Sequence, residues 1–377
     1  MPSLFADKEA LNESIAALMK KNTIPGVALA LWHNGKRVHL EGYGFTDHQR
    51  RMATGENSVF QLGSISKTLT AWGVMKLVEE KILDLEAPVD TYLNKWKLPS
   101  SSFDHSKITL QSLLSHTGGM NITGYLGYPE DQVNTDLLRT RTFERENGLK
   151  VIYEPQQGFK YSGGGYSLVQ HVIEEVTGMK FDHYMKKNVF EPLGMVESTF
   201  LITERVEPRI SQSFGGYGFV MPKRYYAEHA AAGMYSSISD ISRFLSAHMN
   251  DSDNSGFLSP ESQTKLRTRI FRKVNYGLGY HIVTFPQNKK MLFHHGTNIG
   301  FNSSFAVFPE QGAGIALLTN SVNGSHIINR LLREWVLDIV GENINSYPEG
   351  IKMKQQSKII NAMQILCYDR KGLHLTR

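Results

Sequence analysis

A single cysteine, Cys367, stands in the whole chain, which excludes an internal disulfide and any metal centre built on several thiolates. That scarcity leaves the compartment open. Met1 to Lys20 lacks the apolar core of a signal peptide, and no apolar run is long enough to span a bilayer. A soluble protein is expected from the chain as it stands, cytoplasmic unless a leader has been removed. Charge of one sign is also in short supply. The formal net charge is +5, and the segment after Gly341 carries +3 of it, with six basic residues (Lys352, Lys354, Lys358, Arg370, Lys371, Arg377) against three acidic ones (Glu342, Glu349, Asp369). No nucleic-acid surface is expected, because that needs basic residues gathered on a folded face. With 377 residues, 41% of them hydrophobic, there is ample material for one large domain or two intergrown ones.

What the chain does contain is a candidate nucleophile beside a candidate activator, in Gly63-Ser-Ile-Ser-Lys-Thr-Leu-Thr70. A serine hydroxyl is a poor nucleophile until a base takes its proton, and a lysine serves as that base only when burial or nearby positive charge lowers its pKa. Ser64 and Lys67 are three apart, a spacing that puts both on one face of a helix. Ile65, Leu69, Trp72, Met75, Val78 and Ile82 recur at steps of three and four, which predicts a buried helix ending near Asp84, ahead of Pro88. The pair then sits at its first turn, where free N–H groups and the macrodipole favour an alkoxide or oxyanion. The tetrapeptide S-x-x-K alone arises by chance in many soluble helices, so the rest of the chain has to supply its partners.

Upstream, an amphipathic helix is predicted from about Ala6 to Lys21, then two strands, Gly26–Trp32 and Arg37–Leu40, joined at Asn34-Gly35. Gly42–Phe45 continues that sheet. Thr109 caps a short helix over Ile108–Leu114, and Ser115-His-Thr-Gly-Gly119 is a turn in which His116 is read as fixing the loop rather than as a catalytic base. Gly124 to Lys150 is polar and irregular, and reads as a surface loop bordering a cleft. Tyr161-Ser-Gly-Gly-Gly-Tyr166 holds a tight turn that lets a ligand or a neighbouring segment come close, and it lacks the spacing of a nucleotide-binding loop. A helix bearing Leu168, Val172, Ile173 and Val176 follows and stops at Gly178. Phe190–Met195 is a second breaker, and Ala232–Asp240 leads into a helix through Met249. In the last third, strands are predicted over Tyr276–Ile282, Lys290–Phe293, Gly300–Phe308 and Gly314–Thr319, then a helix over Ser325–Val340. Strands at both ends with helices between imply an α/β (α+β) fold. One antiparallel sheet, from about residues 1–55 and 270–340, is flanked by helices, and a mostly helical region, about 56–269, is inserted in the middle. The catalytic unit is expected over 1–340, with 341–377 a tail or linker and the cleft where sheet and helical region meet.

Several phrases together carry a resemblance: Gly-Ser-Ile-Ser-Lys-Thr, Leu-Leu-Ser-His-Thr-Gly-Gly, Pro-Leu-Gly-Met and Gly-Met-Tyr-Ser-Ser-Ile-Ser-Asp. Over roughly residues 10 to 340 the chain is similar to the class C β-lactamases and their penicillin-binding-protein, D-aminopeptidase and esterase relatives. The resemblance implies three elements lining the cleft. Ser64 and Lys67 supply S-x-x-K, Tyr161-Ser162-Gly163 stands at the Tyr-x-Asn-like segment, and His294-His295-Gly296, followed by Thr297, stands at the Lys-Thr-Gly-like segment in its His-x-Gly form.

The implied chemistry is acyl transfer through an acyl-Ser64 intermediate. Lys67 and Tyr161 share the proton work, the base being Tyr161 if nearby positive charge lowers its pKa, and Tyr161 otherwise passing a proton to the leaving group. The backbone N–H groups of Ser64 and Thr297 form the oxyanion hole, and Gly163, His294, Gly296 and Thr297 contact substrate. Two departures from the family pattern matter: Gly163 replaces an Asn whose amide orients the substrate's acyl amide, and His294 replaces a lysine, so its charge near neutral pH is conditional. Both shift weight from an efficient β-lactamase toward a peptidase acting on D-amino-acid or other small peptide bonds, or toward a carboxylesterase. A slowly turning over penicillin-binding sensor is the alternative from another class. The expected partner is a small-molecule or short-peptide substrate, and neither a metal nor an organic cofactor is implied.

Overall fold

Asn34 and Gly35 both take positive φ, 49° and 72°, the backbone sense a two-residue hairpin needs to match the twist of its strands. They join β1 (Gly26–His33) to β2 (Lys36–Asp47), following α1 (Lys8–Asn22), whose N-terminus Asp7 caps through the Glu9 and Ala10 N–H groups. This computed structural model describes residues 4–47, 52–133, 138, 142–144, 147–249, 256–271 and 274–341. The expected tail after Gly341, with Cys367, lies outside the described residues.

From β2 the chain passes through β3 (Met52–Ala53) and β4 (Val59–Gln61) into α2 (Ile65–Glu79). The helical region continues with α3 (Leu110–Leu114), α4 (Gly163–Thr177), α5 (Phe181–Met185) and α6 (His229–Ala232), then β5 (Tyr235–Ser237), α7 (Ile238–Ser246) and α8 (Pro260–Leu266). β6 (His281–Thr284), β7 (Lys290–Asn298), β8 (Phe301–Phe308), β9 (Ala313–Thr319) and α9 (Gly324–Val340) complete the described fold. Seven strands form one sheet in the order β3-β2-β1-β9-β8-β7-β6, every pair antiparallel, and β4 pairs with β5 apart from it.

The sheet is covered on both faces, which is why β8 and β9 are buried at every position and β1 at its first six instead of alternating. One face packs on α1 and α9 through Leu11, Ile15, Leu331, Leu332 and Trp335. The other packs on α2, α7 and the helical region. α2 is surrounded by protein: from Ile65 to Met75 every residue is buried, polar ones included.

Three local expectations are corrected. α2 ends at Glu79 instead of near Asp84, because Lys81 turns left-handed (φ 58°) and the Ile82 and Leu83 N–H groups both return to the Leu77 carbonyl, leaving Ile82 44% exposed. Residues 276–280 are not strand, since Gly277 and Gly279 press against the Leu266 carbonyl and α2, and pairing starts only at His281. The 124–150 segment is not all surface, for Phe143 and Leu149 are buried in the main core.

Trp335 closes the α9 face of the sheet, 3% exposed with its ring 5.4 Å from Phe308. Trp335→Ala is expected to lower unfolding stability by roughly 3–5 kcal/mol, seen as an earlier midpoint in chemical denaturation.

Candidate active site

Between Val59 and Met75 only Ser64 is not buried. Gly63 makes this possible with φ +52°, a conformation strained for any side chain, and a Cβ there would lie 2.6 Å from Thr297 N. Ser66 ties the turn from beneath, donating to the Gly63 carbonyl at 2.6 Å and accepting from Met234 N–H at 3.0 Å. Ser64 is the residue before α2 but does not cap it, so its hydroxyl stays available.

One turn on, Lys67 is 2% exposed. Its Nζ lies 3.1 Å from Ser64 Oγ and donates to the Ala231 carbonyl at 2.6 Å. The aromatic rings of Tyr161 and Tyr166 stand 5.0 and 5.6 Å away. Among the described residues no carboxylate pairs with it, and burial brings the amine down to about 7. Burial acts in the opposite sense on Tyr161: its phenol is pushed well above its ordinary value of 10, and a hydrogen bond with Ser64 only partly offsets this.

His116 sets the position of that phenol. Its ring packs 4.2 Å from the Tyr161 ring, and Nδ1 accepts the Ser162 N–H at 3.1 Å. Burial and the nearby Lys67 hold it well below its usual pKa, and the buried Nε2 meets no hydrogen-bond partner among the described residues. Ser162 in turn caps α4 through the Gly165 N–H and donates to the Ile122 carbonyl.

The opposite rim is β7 beyond its pairing with β6. β6 ends opposite Phe293, and further along β7 Gly296 and Thr297 meet Leu62 and Gly63. The β7–β8 hairpin turns at Ile299-Gly300, and bonded pairs alternate with non-bonded ones from Asn298–Phe301 inward. Thr297 falls in a non-bonded pair, so its N–H points out of the sheet edge toward the Ser64 turn. A side chain at Gly296 would collide with the Leu62 carbonyl.

Ser64, Lys67, Tyr161, Gly296 and Thr297 therefore converge. His294 is near them but engaged elsewhere. Nδ1 faces the His295 carbonyl at 2.7 Å and so carries the proton, and Nε2 accepts from Tyr276 Oη at 3.0 Å. Burial first, then His281 and Lys67, hold it well below its ordinary pKa. Of the two states open to this ring, burial favours the neutral one. Gly163 lies beside Tyr161 under the ring of Tyr125.

Two participants were not anticipated from sequence, the Ala231 carbonyl and Tyr276. The run Ala230-Ala-Ala-Gly233 was the available signal, because small residues let a backbone carbonyl approach a buried amine.

The Beta-lactamase family profile matches residues 11–334. The chain belongs to the β-lactamase family. Within its reach, penicillin-binding protein 4* of Bacillus subtilis (strain 168) is 25% identical over 350 residues, spanning 86% of this chain and 74% of that protein. Protein flp of Staphylococcus aureus (strain N315) is 25% identical over 368 residues, 94% of this chain and 72% of that one. The structure of the octameric penicillin-binding protein homologue from Pyrococcus abyssi superposes with a TM-score of 0.74 at 25% identity, covering 90% of this chain and 79% of that chain. As a β-lactamase-family chain it carries a serine-hydrolase type of scaffold, and its mixed α/β architecture matches that of the penicillin-binding-protein homologue. Among the described residues no helix is long and apolar enough to cross a membrane, and no group of three or more His, Cys, Asp or Glu side chains converges to hold a metal. A hollow of about 500 Å³ lined by Thr46, Gln61, Ser211, Arg224 and Phe301 includes none of the converging residues.

With the Lys67 amine at about 7, one lysine in ¹³C-labelled protein is expected to titrate near neutrality. NMR of the lysine ε-carbons against pH checks this, with Lys67→Met removing the anomalous signal.

Proposed function

We propose that the protein is a serine hydrolase that cleaves an amide or ester bond of a small molecule or short peptide through an acyl-Ser64 intermediate. One observation carries the reading: the Lys67 amine, lowered to about 7, sits 3.1 Å from Ser64 Oγ, while the phenol on the other side of that oxygen is raised. Titratable groups whose pKa values are driven apart divide acid from base. Neutral Lys67 is the base, and Tyr161, protonated near neutral pH, is the proton carrier to the leaving group.

Ser64 Oγ attacks the carbonyl carbon as its proton passes to Lys67. The carbonyl oxygen, now negative, is received by the N–H groups of Ser64 and Thr297. The tetrahedral intermediate collapses by breaking the carbon–leaving-group bond, the leaving group taking the proton through Tyr161. Water then attacks the acyl carbon with Lys67 again as base, releasing the acid and Ser64. The β-lactam, the D-amino-acid peptide bond and the carboxylic ester all fit this chemistry. Membership of the β-lactamase family and the names of the penicillin-binding relatives support including a β-lactam among the first compounds tried.

Brief exposure to a β-lactam, and separately to an activated short-chain ester, followed by intact-mass measurement, tests the reading. A mass adduct or product release that Ser64→Ala abolishes is expected, and Lys67→Met is expected to slow acylation by about 10²–10⁴-fold. The absence of both an adduct and Ser64-dependent turnover with the two compounds overturns it.

The acylation rate is also expected to rise with pH and level off above about 7, because Lys67 holds its proton below that value and cannot accept another. Stopped-flow acylation from pH 5 to 9 checks the sign, and a rate that falls across this range removes Lys67 as the base.

A further inference from the structure

The ring of Tyr125 occupies the space where a side chain at residue 163 would begin. A Cβ on Gly163 would lie 3.0 Å from Tyr125 Cε2 and 3.2 Å from the Thr123 carbonyl oxygen, tighter than ordinary packing. Ser162, between Tyr161 and Gly163, is extended (φ −141°, ψ 118°), so residues 161 and 163 project to the same side of the chain. The Tyr125 ring therefore stands on the side of the chain from which Tyr161 projects.

That ring is held in place. Its hydroxyl lies 2.8 Å from Ser167 Oγ, and Ser167 also contacts the Gly163 carbonyl at 3.3 Å. The 122–123 segment is laced to the start of α4, Gly163 N–H donating to the Thr123 carbonyl and Gly164 N–H to that of Ile122. With its one polar atom turned to Ser167, Tyr125 offers the cleft a carbon surface, and Leu126 beside it is 43% exposed. Across the site, both nitrogens of His294 are satisfied by Tyr276 and the His295 carbonyl, so that ring presents no free donor to a substrate carboxylate.

We propose that Tyr125 is a specificity-determining residue, making the flank beside Tyr161 an apolar wall that selects plain aliphatic or aryl acyl groups over acyl groups bearing an acylamino substituent. The proposal rests on the acyl-Ser64 reading above and narrows its substrate class. An acylamino group laid on this wall loses water from its N–H and carbonyl and finds an aromatic face in return. Groups stripped of water without new partners are discriminated against strongly. An alkyl chain of the same length loses nothing there.

The test compares kcat/KM for two p-nitrophenyl esters of similar acyl length, the pentanoate and the N-acetylglycinate, each divided by its hydroxide-catalysed rate to remove intrinsic reactivity. The wild-type chain is expected to favour the pentanoate by about tenfold to a hundredfold. Tyr125→Ala is expected to bring the ratio to within about threefold of unity, and Tyr125→Phe, which keeps the ring, to retain the preference. If Tyr125→Ala does not fold, Tyr125→Gln serves instead, since it replaces the aromatic face by an amide and should narrow the ratio. Equal normalised rates in the wild type, or a ratio unmoved in a folded Tyr125→Ala or Tyr125→Gln protein, overturn the proposal while leaving acyl transfer standing. Absence of Ser64-dependent turnover with both esters overturns the acyl-Ser64 reading, and this inference with it.

Discussion

The cleft depends on one close backbone contact, in which β7 at Gly296 and Thr297 lies against the Leu62–Gly63 turn. Each glycine is required by the other segment: a methyl on Gly296 meets the Leu62 carbonyl, and one on Gly63 meets the Thr297 nitrogen. Ser303 adds a hydrogen bond from β8 to the same Leu62 carbonyl at 2.8 Å. Two stretches more than 230 residues apart in the chain are thereby locked together, and the Ser64 and Thr297 N–H groups are carried with them. Donors fixed by main-chain geometry cannot swing away as charge develops on an oxygen between them, which is the condition under which such donors are most effective. The sheet, closed by strands from both ends of the chain, is what keeps this contact shut.

Around that contact the side chains share one electrostatic character. Lys67, Tyr161, His116 and His294 are shifted chiefly by burial, down for the amine and the imidazoles and up for the phenol. In every case the neutral form is favoured. In the proposed acyl transfer two charges then appear together in a buried setting, the oxyanion before the backbone donors and the ammonium of Lys67, and burial strengthens the interaction of each with its surroundings. The same burial makes proton position matter. The Ala231 carbonyl draws one N–H of Lys67 and so orients the amine, which in the proposed mechanism turns its lone pair to the Ser64 proton.

What could be read in the sequence was what is local. The Ser64–Lys67 spacing, the Asn34-Gly35 turn, the Thr109 cap and the end of α4 at Gly178 each depend on residues within a few positions of one another, and the structure contains all four. What failed was decided elsewhere in the chain. The apolar residues from Tyr276 to Tyr280 look like strand, yet they pack on α2 and α8 through Gly277 and Gly279 instead of extending β6 along β7. α2 carries an apolar stripe in the sequence but is enclosed on all sides, as its buried Ser66, Thr68 and Thr70 reveal only once partners such as Gly279 and Ala230 are seen. The pairing of His294 with Tyr276 likewise joins residues 18 apart through the sheet, and a titratable ring's charge follows from such partners.

Gly163 shows how carrying a motif across position by position goes astray. Taken alone, a glycine where relatives place an asparagine reads as a missing side chain and a weakened site. The structure fills that room with Tyr125, 38 positions upstream in the sequence, pinned through Ser167 to the helix that Gly163 begins. The volume beside Tyr161 is thus kept while its chemistry changes from an amide, which donates and accepts, to a ring, which does neither at its face. A Cβ at 163 would press on the ring and on the Thr123 carbonyl, so glycine and ring read together as one feature written in two places, and asparagine at 163 alone would meet the ring before it could restore an amide-binding wall.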